Sequence, residues 1–211
     1  MVVRSEKRWT MVEAAPEVAE GIAADYGFSR AMARALVARG LVDRGEIDKF
    51  LQPRLADLTD PFVLPGMEKA VDLILSHVEQ GSSILVYGDY DVDGVTATAL
   101  MIQVLSELGA VASPFLPHRI EDGYGLGVET LHRCVETYHP NLIITVDCGT
   151  SSVEAVTEAA RLGIDVVVTD HHEPAAEGVA EACAIVNPKL GNCPEDIRML
   201  AGVGVAFKVC H

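Results

Sequence analysis

From residue 83 onward the chain alternates two kinds of segment, and this alternation constrains its fold more than any other feature. Short, almost purely apolar runs lie at 84–87, 111–116, 141–146, 164–169 and 182–186. Between them, 95–108, 128–138 and 152–162 carry apolar residues at helical spacing, and Gly109 and Gly163 close two of these. Strands without polar alternation are covered on both faces. Helices between them supply the crossovers that parallel strands require. The expected fold is therefore α/β, a parallel β-sheet with helices on both faces.

A short helical N-terminal segment precedes it. Ser29 caps a helical pattern running to Arg39, and Gly40 stops it. A second short helix is expected over 43–51. Pro53, Pro61 and Pro65 then make 52–66 a linker. The stretch 67–80 is amphipathic, with Val71, Ile74, Leu75 and Val78 on one stripe. The expected division is 1–66 for the helical segment and linker, and 67–211 for the sheet domain.

In an open parallel sheet, ligands gather beyond the carboxyl ends of the strands. Three polar clusters fall there. Asp89, Asp91 and Asp93 follow the first strand, Asp147-Cys148-Gly149 the third, and Asp170-His171-His172-Glu173 the fourth. If residues 89–93 are extended, their alternating carboxylates share one side. Carboxylates crowded together raise one another's pKa, and cations relieve the repulsion. Carboxylates alone suit Mg²⁺ or Ca²⁺, and added imidazole shifts the preference toward Mn²⁺. Asp147 is placed to bridge two such ions, an arrangement that activates water against a phosphoester.

Plainer readings exist for the single residues. Asp93, Asp147 and Asp170 each read equally as helix N-caps, and a lone His171 or His172 as a structural histidine. Asp-x-Asp-x-Asp-Gly also opens an EF-hand loop, but its twelfth position is Leu100 where a bidentate Glu is needed. Asp91-Val-Asp93-Gly matches the aspartyl-phosphate motif of haloacid-dehalogenase-type phosphatases, a reading that leaves Asp170-His171-His172 unexplained. The loop 117–127 carries His118, Arg119 and three glycines. It reads as a phosphate-contacting loop or as a flexible crossover. Ala201-Gly202-Val203-Gly204 reads as an anion-binding helix start or as a tight packing contact.

Composition narrows the remaining classes. With 49% hydrophobic and 22% charged residues, a mainly disordered chain is excluded. Sixteen basic against 31 acidic residues give a net charge of −15. That argues against a partner held chiefly by phosphate neutralisation, although bound cations invert the sign locally. Five cysteines without C-x-x-C spacing read as free thiols in a reducing compartment. No run of about 18 apolar residues is present, and the first residues lack an apolar signal core. A cytoplasmic protein without a membrane partner is expected.

Taken together, the clusters resemble the DHH phosphoesterase superfamily, and within it the RecJ-type single-strand exonucleases. Residues 85–98, Leu-Val-Tyr-Gly-Asp-Tyr-Asp-Val-Asp-Gly-Val-Thr-Ala-Thr, resemble the first family motif. Residues 117–126 resemble the second, 144–149 the third, and Asp170-His171-His172-Glu173-Pro174 the motif that names the superfamily. Asn187-Pro188, residues 200–208, Phe50-Leu-Gln-Pro and Leu58-Thr-Asp-Pro-Phe are similar too, so the resemblance covers about residues 30–211.

The resemblance implies an enzyme, a hydrolase using two divalent cations, Mn²⁺ or Mg²⁺. It implies 5′→3′ exonuclease action on single-stranded DNA in repair and recombination. It also implies a single-strand-binding protein and a helicase as partners. By the same resemblance Asp91, Asp93, Asp147 and His171 are metal ligands, and Asp89 is a ligand or supports one. Asp170 orients the histidines, His172 is a ligand or touches the scissile phosphate, and His118 and Arg119 hold substrate phosphates. The alternative within the superfamily is a phosphodiesterase for oligoribonucleotides, cyclic dinucleotides or pyrophosphate. A non-catalytic scaffold that binds replication proteins is a further rival. The family pattern continues beyond His211, through another ligand Asp, a linking helix and further domains, so a C-terminally truncated fragment that binds metal weakly and has little activity of its own is expected.

Overall fold

The computed structural model describes residues 10, 13–120, 122–123, 125–176 and 178–211. The chain divides into two compact units, Met1–Leu58 and Thr59–His211. The division falls inside the Pro-rich 52–66 stretch, which forms two 3₁₀ turns, Leu55–Asp57 and Pro61–Val63.

In the first unit, helices α1 (Pro16–Tyr26), α2 (Arg30–Ala38) and α3 (Arg44–Leu51) bury Ala19, Ile22, Ala33, Leu36 and Ile47 against one another. Capping sets two of the starts. The Ser29 side chain accepts from the Met32 N–H, and that of Asp43 from the Glu46 N–H.

The second unit runs α4 (Met67–Glu79), β1 (Ser83–Tyr87), α5 (Val92–Glu107), β2 (Val111–Phe115), α6 (Val128–Tyr138), β3 (Leu142–Val146), α7 (Val153–Arg161), β4 (Asp165–Thr169), β5 (Ala184–Val186), α8 (Glu195–Arg198) and α9 (Gly202–Cys210). The five strands are all parallel, in the order β2-β1-β3-β4-β5. Side chains alternate between faces along each strand. Ile84, Val86, Leu142 and Ile144 pack under α4, α5 and α9, whereas Leu85, Tyr87, Ile143 and Val166 pack under α6 and α7. This is the doubly covered parallel sheet that the apolar runs imply.

The chain leaves β1 for its neighbour β2 on one side, then returns to lay β3 on the other. The carboxyl ends of β1 and β3 therefore flank the crevice where such sheets hold their ligands.

Candidate metal centre

Three strand ends build the centre. Asp89 follows β1, Asp147 follows β3, and Asp170, His171 and His172 follow β4. Asp89, Asp147 and Asp170 are all buried, Asp147 to 1% exposure. Side-chain ligand atoms of Asp89, Asp91 and Asp147 lie within 4.8 Å of one another, and so do those of Asp147, His171 and His172. Asp147 belongs to both groups.

The peptide at Asp147 turns with φ 64°, a left-handed conformation that is uncommon outside glycine. Its N–H is anchored to the Thr169 carbonyl at 2.9 Å. Two residues on, Gly149 has φ 108°, and a Cβ there would sit 2.5 Å from Thr145 Oγ1. The turn thus holds the Asp147 carboxylate at the crevice. Its Oδ1 is buried with no hydrogen-bond partner, although His171 Nε2 lies 3.1 Å away. Burial foremost, then the nearby carboxylates of Asp93 and Asp91, push this carboxyl up to about 7. Burial also raises Asp89.

Asp170 is the counter-example. Burial alone would raise it, but hydrogen bonds from His172 and Thr150 outweigh that and hold it below the usual carboxylate range. Its Oδ2 accepts from the Thr150 N–H at 3.0 Å. Its Oδ1 accepts from the backbone of His171 and His172 and from His172 Nδ1 at 2.8 Å. An ionised acceptor at Nδ1 fixes the tautomer and leaves the lone pair of the neutral ring on Nε2. The same bond to Asp170 raises the His172 pKa.

The first motif differs from an extended strip of carboxylates, because α5 begins at Val92. Asp91, not Asp93, is the helix N-cap, accepting from the N–H groups of Asp93 and Gly94. Asp93 lies in the first turn and faces α9. Asp147 and Asp170 cap no helix; α7 starts after Ser152. The two readings of residues 201–204 both hold. The N–H groups of Gly202 and Val203 each donate to the Asp93 carboxylate at 2.7 Å, so the anion at this helix start is the protein's own. The packing is tight as well, since a Cβ on Gly202 would fall 2.1 Å from Asp147 Oδ1. Asp93 Oδ2 is 3.7 Å from His171 Nε2.

His118 and Arg119 lie on the loop after β2, exposed, and outside both ligand groups. The Arg119 guanidinium stacks over the Tyr90 ring, 5.3 Å from its centroid, which ties the loop to the first motif. Glu121 and Tyr124 of this loop lie outside the described residues. Asn187 had no role assigned from sequence, yet it is fully buried. Its Nδ2 donates to Thr150 Oγ1 at 2.8 Å and to the His172 carbonyl at 3.0 Å. It therefore braces both the residue that holds Asp170 and the loop that carries His172. Asn187→Ala should lower unfolding free energy by about 1–2 kcal/mol through those orphaned groups, read by urea denaturation. An unchanged midpoint would remove Asn187 from the support of the site.

The donor set fits divalent cations. A buried, unpartnered carboxylate oxygen shared by an all-carboxylate group and an imidazole-containing group suits a hard cation that also accepts nitrogen, such as Mn²⁺.

The DHH family, N-terminal domain, matches residues 83–211. The single-stranded-DNA-specific exonuclease RecJ of Bacillus subtilis (strain 168) is 38% identical over 210 residues, 100% of this chain and 26% of that protein. RecJ of Escherichia coli (strain K12) is 45% identical over 145 residues, 68% of this chain and 25% of that protein. Among solved structures, RecJ of Thermus thermophilus in complex with Mn²⁺ superposes with a TM-score of 0.72 at 30% identity, covering 94% of this chain and 27% of that one. Exonuclease RecJ bound to manganese gives 0.64 at 37% identity, covering 70% and 37%. The chain thus spans about a quarter of the length of the curated relatives it matches.

Proposed function

The chain belongs to the DHH family, and on that premise we propose that it forms the metal-binding part of a 5′→3′ exonuclease hydrolysing single-stranded DNA in repair and recombination. One observation carries the reading: the Asp147 carboxylate, buried and lacking a hydrogen-bond donor at Oδ1, belongs to two ligand groups at once. The similarity to RecJ proteins, among them structures holding Mn²⁺ or Mg²⁺, supports such cations as the cofactors; that there are two is part of the proposal.

In this reading Asp91, Asp93, Asp147 and His171 are the ligands, and Asp89 completes or supports the set. Bound cations would neutralise the carboxylates and supply Lewis acidity toward water and the phosphodiester. The rest falls to the chain itself. Asp170 fixes both histidine backbones and the His172 ring, and His172 is a metal ligand or touches the scissile phosphate. The two N–H groups at the start of α9 hold Asp93 in one orientation. His118 and Arg119 hold substrate phosphates at the exposed lip. Docking a single-strand-binding protein and a helicase, and a cytoplasmic location, are part of the same proposal. Among the described residues no helix is long and apolar enough to cross a membrane.

The test is nucleotide release from 5′-labelled single-stranded DNA with Mn²⁺, for this chain and for the full product of its gene. Duplex DNA, oligoribonucleotides, cyclic dinucleotides and pyrophosphate serve as competitors. Processive release from the 5′ end of single strands, abolished by EDTA, is expected of the full product. Hydrolysis of the small substrates alone would replace this reading with a small-molecule phosphodiesterase.

A further inference from the structure

The geometry assigns Tyr90 a positioning role: its ring is the platform that holds the Arg119 guanidinium at the mouth of the carboxylate site. This rests on the reading of residues 118–119 as phosphate-holding. The Tyr90 backbone N–H donates to Asp89 Oδ1 at 2.7 Å, which fixes the peptide from which the ring extends beside the carboxylates. Above it, the Arg119 head group lies 5.3 Å from the ring centroid. A guanidinium held over a ring by cation–π attraction keeps N–H groups to donate to an anion.

The loop is held from its other end as well. The His118 N–H donates to Asp122 Oδ2 at 2.7 Å, and Asp122 pairs with Arg133 of α6. Arg119 is thus fixed through the backbone just before it and through its head group. An arginine side chain that must be ordered on binding loses rotamer freedom, and one already held against a ring loses less. In a chain of net charge −15, a fixed cation beside the site gives an incoming phosphate a defined place to land.

The experiment is a double-mutant cycle on Tyr90 and Arg119. Affinity for a 5′-phosphorylated oligothymidylate is read by fluorescence anisotropy with Mn²⁺ present, and KM and kcat by its cleavage by the full gene product. Tyr90→Leu should weaken binding about three- to fivefold, the range of an exposed cation–π contact. It should raise KM with little change in kcat, and Tyr90→Phe, which keeps the ring, should restore affinity. In an Arg119→Ala background, Tyr90→Leu should add nothing. Additive losses would overturn the proposal, because Tyr90 would then meet the DNA itself. So would a Tyr90→Phe variant as weak as Tyr90→Leu. If Arg119→Ala alone leaves affinity unchanged, the phosphate-holding reading of the loop falls and this proposal with it. If Arg119→Ala weakens binding but the cycle shows no coupling, the proposal about Tyr90 falls alone.

Discussion

Asp147→Asn should abolish saturable Mn²⁺ binding and, in EDTA at pH 8, make the chain more stable than wild type. The two effects have one cause. With no cation to share it, the carboxylate's burial and then the neighbouring Asp93 and Asp91 outweigh what the adjacent histidines offset, and push its pKa up to about 7 from the ordinary 3.8. Between these values the folded state binds more protons than the unfolded state, so stability falls as pH rises through the window from about 4 to 7. Above it the full cost is present, at most about 4 kcal/mol. Below about pH 4 both states are protonated and the cost is gone. The amide of Asn never ionises. The variant should therefore gain about 2–4 kcal/mol at pH 8 and almost nothing at pH 4, read by urea denaturation in EDTA. Saturating Mn²⁺ should reverse the order by stabilising only the wild type. A variant less stable than wild type at pH 8 would mean that the Asp147 charge is satisfied by the protein itself.

Gly202→Ala should also lose Mn²⁺ binding, but for a steric reason and with a loss of stability. The added Cβ would lie 2.1 Å from Asp147 Oδ1 and 2.5 Å from its Cγ. Asp147 cannot retreat, because its peptide is anchored to Thr169 and turned into the left-handed region. The first turn of α9 must move instead, breaking the two N–H contacts to Asp93. A loss of about 2–3 kcal/mol is expected, together with loss of Mn²⁺ binding. Gly204→Ala is the control in the same helix. Its Cβ would come within 3.1 Å of Leu200 Cδ2, a side-chain tip that can shift, so a cost below about 1 kcal/mol is expected. Equal losses in the two variants would mean that the helix, not the contact with Asp147, is sensitive.

The sheet was legible because its signal is local and repeated. Runs such as Leu142–Val146 are buried along their whole length, and few arrangements other than a doubly covered parallel strand accept them. The clusters after β1, β3 and β4 were legible because strand ends in such a sheet share one edge. What stayed hidden depended on contacts between distant residues. Nothing near Asp93 announces that its partners are the N–H groups of residues 202 and 203. The start of α5 at Val92 was hidden because Asp91 serves both as cap and as candidate ligand, and the cap pulls Asp93 into the helix. Asn187-Pro188 belongs to the resemblance but carries no readable role in the sequence; the work of Asn187, bracing Thr150 and the His172 carbonyl, appears only when β4 and β5 are side by side. The paired acceptance by Asp170 had a visible trace in the Asp-His-His triplet, since a carboxylate just before two residues can bond their N–H groups.

A cation site organised around Asp147 is tested by Mn²⁺ titration of this chain and of Asp147→Asn, followed by electron paramagnetic resonance. Saturable binding that approaches two ions per chain, with the signal of a coupled pair, is expected in the wild type, and neither in the variant. Binding that is unchanged when Asp147 becomes Asn, or no saturable binding by the wild type at millimolar Mn²⁺, would contradict it.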